Sequence, residues 1–187
     1  SDAPAAAPQP AQSAMTVQFT ETLLVKHRSY PLENEPFEDY LELTGGAKRF
    51  VATNTANWRG YSGTWRLARQ RLYCCDIYGT FENGQPASLR SFFPETSGEE
   101  FAYWHTGTLR VPRGDGCRSR PLSREEFYGP YGDQTVFTVL IEVDCGIVGP
   151  VVVRSNILRE AWTLNETRYA QNLLKFWQDV GTGVSLD

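Results

Sequence analysis

Between Val136 and Val143 every residue is apolar or Thr except Glu142, and after Asp144-Cys145-Gly146 and Gly149-Pro150 the chain resumes with Val151-Val152-Val153. Such a density of β-branched residues suits a pleated, buried strand. Two such runs joined by a short turn containing Gly commit the chain to a β-hairpin. The first run is apolar enough to predict a central strand covered on both faces. A second hairpin is legible from Tyr61 to Leu67 and from Leu72 to Tyr78, joined by the polar turn Ala68-Arg69-Gln70-Arg71 and closed by Gly79. There Trp65 and Leu67 alternate with Thr64 and Arg66, as a half-buried strand requires.

Shorter strands are expected in Val17–Val25, Tyr40–Leu43, Phe50–Thr53 and Thr108–Val111. One helix is well signalled, from about Leu164 to Val180. Thr163 and Glu166 fit a capping box, Tyr169, Leu173, Phe176, Trp177 and Val180 recur at helical spacing, and Gly181 stands at the stop position. With 187 residues, 41% of them apolar and 13% aromatic, the chain can build one real core. No apolar run approaches the ~18 residues of a membrane-spanning helix. Residues 1–14 are rich in Ala, Pro, Ser and Gln and read as a disordered tail or fusion remnant, with Met15 as the native start; a tail left by a cleaved export signal is the alternative. The expected fold is a single soluble domain over 15–187 of the α+β class. It is mainly an antiparallel twisted sheet or partly closed barrel with one C-terminal helix. A start at Met15 places it in the cytoplasm, and a cleaved signal in the periplasm or outside the cell.

The net charge is −4, and neither half of the chain is basic, which disfavours a nucleic-acid binder held by phosphate contacts. His27 and His105 lie far apart and no Cys-x-x-Cys occurs, so no metal spacing is present; no phosphate-binding or dinucleotide motif points to a cofactor. Cys74, Cys75, Cys117 and Cys145 read as small apolar residues, the adjacent pair pointing to opposite faces of a strand. A hydrolase can be written with Cys117 as nucleophile, His105 as base and Asp76 or Asp115 to orient it, though no spacing demands it. Gly63-Thr64-Trp65 matches the short Gly-x-Trp of ligand-carrying barrels, and a small-ligand site would be lined by Trp58, Trp65 and Trp104.

One charge feature stands out. Glu33, Glu35, Glu38, Asp39 and Glu42 fall in ten residues, no Lys or Arg occurs between Ser29 and Ala47, and Tyr30, Phe37 and Tyr40 are interleaved. Acids of this kind steer a basic partner and desolvated aromatics anchor it, so these eight residues form the expected interaction edge; a solvated loop is the bland reading.

The ordered series Trp58-Arg59-Gly60-Tyr61-Ser62-Gly63-Thr64-Trp65, Leu72–Gly79, Ser88-Leu89-Arg90-Ser91-Phe92-Phe93-Pro94 and Phe101–Gly114 resembles a group of small, largely uncharacterised bacterial proteins associated with toxin–immunity loci. The likeness spans roughly residues 16–155. It carries no catalytic residues across and implies a stoichiometric binder rather than an enzyme: an immunity-type protein that neutralises a cognate protein toxin.

Overall fold

The structure, a computed structural model, describes residues 20–46, 49–52, 57–112, 114, 137–155 and 164–182. The N-terminal tail, Met15, the expected cap residue Thr163 and the Arg-rich segment with Cys117 and Asp115 lie outside the described residues.

The fold is α+β, as expected. Nine strands form one mainly antiparallel sheet: β1 (Glu21–Val25), β2 (Arg28–Leu32), β3 (Tyr61–Ala68), β4 (Arg71–Thr80), β5 (Pro86–Ala87), β6 (Glu100–Phe101), β7 (Gly107–Pro112), β8 (Phe137–Asp144) and β9 (Ile147–Ser155). The main path runs β2-β1-β3-β4-β9-β8-β7, with β5 and β6 added along β4; β1 and β3 are parallel and the remaining pairs antiparallel. The sheet is rolled but not closed. No ladder joins its end strands, yet the Glu33 N–H donates to the Arg110 carbonyl at 3.0 Å, tying the chain just after β2 to β7.

Both hairpins turn in two residues. Arg69 and Gln70 have φ of 52° and 59°, and Cys145 and Gly146 have 47° and 78°, the left-handed pairs that match the twist of the flanking strands. β8 corrects the expectation of a strand covered on both faces. Phe137, Val139, Ile141 and Val143 are buried, Thr138 and Leu140 are half-buried, and Glu142 and Asp144 are exposed. It lies one strand from the end of the path, so only its inner face is fully covered. In β4, residues facing inward change phase between Cys74 and Ile77, because a bulge sets Thr64 opposite Asp76 but Trp65 opposite Cys74. Cys74 is buried and Cys75 is half-exposed, on opposite faces as expected.

The C-terminal helix, here α2 (Leu164–Thr182), runs one residue past Gly181. It buries Ala170, Leu173, Trp177 and Val180 against the inner face of β9, β8 and β3. Trp177 is its anchor. The ring meets Tyr30 edge-on at 4.8 Å, and its Nε1–H donates to the Gly114 carbonyl at 2.9 Å. A second helix, α1 (Pro36–Leu43), replaces the strand expected at Tyr40–Leu43. The strand expected at Phe50–Thr53 reduces, among its described residues, to a single bridge from Phe50 to Phe81.

Candidate functional site

The acidic, aromatic segment folds as α1 because its ends are marked for a helix. Pro36 occupies the first turn, where its missing N–H costs nothing, and Glu38 and Asp39 there complement the helix dipole. At the other end the Thr44 hydroxyl donates to the Tyr40 carbonyl at 2.8 Å, and Gly45 and Gly46 take φ of +75° and +59°. The aromatic face of α1 then packs on Tyr61 of β3 and on the aromatic segments around Phe92 and Trp104. Phe37 is wholly buried, stacked on Tyr40 and edge-on to Tyr61 and Phe92. Trp104 packs on Tyr40 and donates its Nε1–H to the Pro36 carbonyl at 3.0 Å.

This geometry relocates the expected anchors. Tyr30 and Phe37 are core residues, 2% and 0% exposed, and Tyr40 is half-buried. Hydrophobic residues on one side of a short helix must be covered, and Tyr61 of β3 with Phe92, Phe93 and Trp104 covers Phe37 and Tyr40. The exposed apolar side chains nearby are Leu43, at the end of α1, and Tyr103, whose ring touches Trp104.

Four of the five acids meet partners in the same chain. Arg110 pairs with Glu33. Arg59 reaches Glu35 at 2.9 Å. The Tyr61 hydroxyl donates to Glu38 at 2.7 Å. His105 Nδ1 and Asp39 Oδ2 lie 2.6 Å apart. Glu42 is exposed. Among the described residues, only Arg59 and Arg110 bring fixed positive charge to these five carboxylates, so these residues leave the face of α1 net negative.

Beneath α1 lies a residue that sequence reasoning missed. Glu21 opens β1 on its inner face, in phase with Leu23 and Val25, and is 1% exposed. The Trp65 indole donates to one carboxylate oxygen, and Arg59 stands 3.5 Å from the other. Gly63 is glycine for a local reason. A Cβ there would lie 2.7 Å from Trp65 Nε1 and 2.8 Å from Glu21 Oε2, within the space that this hydrogen bond fills. Burial pushes the Glu21 carboxyl up to about 7, against the opposing pull of the Trp65 hydrogen bond and Arg59. Burial also raises Glu35, partly offset by Arg59. Tyr61 is raised by burial and by its bond to Glu38. The signal for Glu21 was its alternation with Leu23 and Val25. Leu24 blurs that signal, because Leu23-Leu24-Val25 offers either phase.

Among the described residues the other sequence candidates are not brought together; Cys117 and Asp115 lie outside them. The partner of His105 is Asp39, whereas Asp76 accepts the N–H of its neighbour Ile77. Burial raises the Cys74 and Cys75 thiols, opposite to what an activated nucleophile needs. Trp65 and Trp104 are bonded within the core while Trp58 is 64% exposed, so the three do not line one interior. Among the described residues no three His, Cys, Asp or Glu side chains converge as metal ligands, and no helix is long and apolar enough to cross a membrane. No known protein family, curated protein or solved structure matches this chain.

Proposed function

We propose that this protein acts by stoichiometric binding, as an immunity-type protein whose α1 face covers a basic surface of a cognate toxin. One observation carries the reading: five carboxylates on or beside α1, answered among the described residues by two arginines, on a helix held by Phe37, Tyr40 and Trp104. A rigid, net-negative face raises the association rate with a basic partner and loses little entropy on docking. Because Tyr30 and Phe37 are core, the apolar contacts on this face fall to Leu43 and Tyr103, both more than half exposed.

The test is rescue of growth. The product of the adjacent open reading frame is expressed with and without this chain, and toxicity relieved only by co-expression is the expected result. Glu42→Lys combined with Leu43→Ala should abolish relief while leaving the thermal melt unchanged. A harmless neighbouring product, or relief that survives both substitutions, sinks the reading.

A further inference from the structure

The cluster under α1 holds more carboxyl groups than it can neutralise. Facing Glu21 are Arg59 from the segment before β3, Glu35 just before α1, Tyr61 from β3 and Cys74 from β4, and Glu38 stands behind Glu35 and Tyr61. Arg59 is the one cation in that set, its side chain 5% exposed, and it sits closer to Glu35 (2.9 Å) than to Glu21 (3.5 Å). Its Nε–H is buried with no acceptor. Tyr61 and Cys74 are held neutral by burial. With Glu21 and Glu35 both ionised, one guanidinium serves two anions. Glu35, with its side chain 37% exposed, leans on water; Glu21, at 1%, does not. An ionised carboxylate also offers about four acceptor sites. Glu21 meets three of them, with the Trp65 indole, a Gly63 backbone N–H and the long Arg59 contact.

We propose that Glu21 is a proton-operated latch: protonated, it lets Arg59 bridge to Glu35 and hold residues 57–60 against the start of α1; ionised, it draws Arg59 away and releases them. Ionisation leaves the buried site short of positive charge, and the nearest supply is the guanidinium already committed to Glu35. Moving it toward Glu21 lengthens the Arg59–Glu35 bridge, which ties the 57–60 corner to α1. That corner carries Trp58, 64% exposed, so the latch controls how firmly an exposed indole is presented.

The sign of the pH effect follows. Glu21 holds its proton to about pH 7 when folded, against 4.5 for an ordinary glutamate. Its contribution to stability is full below 4.5 and is lost as pH rises through 7. The experiment uses the full chain. Side-chain carboxyl carbons are followed by NMR from pH 4 to 9, and amide hydrogen exchange at 57–60, corrected for intrinsic rates, is compared at pH 5.5 and 8.5. Expected are a Glu21 midpoint near 7 and protection at 57–60 that falls at least tenfold at pH 8.5. Urea titrations should show the folded-to-unfolded ratio of the wild type falling on the order of a hundredfold relative to Glu21→Gln between pH 4.5 and 8. A midpoint in the ordinary carboxylate range overturns the proposal, and so does a midpoint near 7 with unchanged protection at 57–60. Should Glu21→Gln not fold, the wild-type NMR and exchange data decide alone.

Discussion

The two sides of this core are held by different forces. Around β7, β8, β9 and α2 it is built from Leu109, Val111, Val139, Ile141, Val151, Leu173 and Trp177. There the indole N–H of Trp177 donates to the Gly114 carbonyl. Beneath α1 the same sheet encloses Glu21, Arg59 and the Tyr61–Glu38 bond. The apolar side rests mainly on area and shape, so its stability responds less to pH. The polar side gains less from burial and depends on every partner being present, since a buried charge that loses its partner is costly. The contrast teaches where adjustment is cheap: a proton or a single guanidinium shifts the α1 side, while nothing short of a cavity shifts the other.

Trp177→Ala is the harshest way to test the apolar side. It empties a site 1% exposed, removes the contact with Tyr30 and orphans the Gly114 carbonyl. A loss of about 3–5 kcal/mol is expected, read by urea unfolding and equal at pH 5 and pH 8. A pH-dependent loss breaks the comparison.

Arg59→Met attacks the polar side. At pH 8 it strands ionised Glu21 and Glu35 without their cation, at a cost of about 3 kcal/mol. At pH 5 Glu21 carries a proton and the cost should fall by more than half. Equal costs at the two pH values mean that Glu21 is not the responsive group.

Gly63→Ala sharpens the comparison by sterics. Its methyl group would press on both partners of the Trp65–Glu21 bond, with a loss of about 1–3 kcal/mol. Trp65 fluorescence should change with it, because the indole must leave the carboxylate. Unaltered fluorescence with full stability shows that the site is looser than the packing implies.

The smallest effect belongs to the rim. Glu33 and Arg110 are 35% and 55% exposed, and a double-mutant cycle should give a coupling of less than about 1 kcal/mol that fades with salt. A larger coupling means that the junction between the end of β2 and β7 contributes to closing the sheet.

The hairpins, the C-terminal helix and the α+β class were legible because each is written in local periodicity. Period-two alternation needs no knowledge of what lies across the sheet, and Thr64–Leu67 shows it plainly, whereas Leu72–Tyr78 was legible as an apolar run beyond a polar turn. α1 was legible in part. Pro36, the acids of its first turn and Gly45-Gly46 mark both ends of a helix, but at eight residues its periodicity is too short to outweigh Tyr40-Leu41-Glu42-Leu43, which alternates like a strand.

Which carboxylates are solvated and which are enclosed was a tertiary matter. Glu21 and Glu42 are the same side chain in the sequence. One is enclosed because β1 pairs in parallel with β3, setting it beside Gly63 and Trp65, and the other ends a helix facing water. Likewise Asp39 found His105 across 66 positions and Trp104 found Pro36 across 68. Composition and alternation therefore determined that the chain makes a sheet with a core. Sheet pairing decided which charges that core enclosed, because the cost of burying a charge depends on neighbours that only the folded chain brings within a few ångströms.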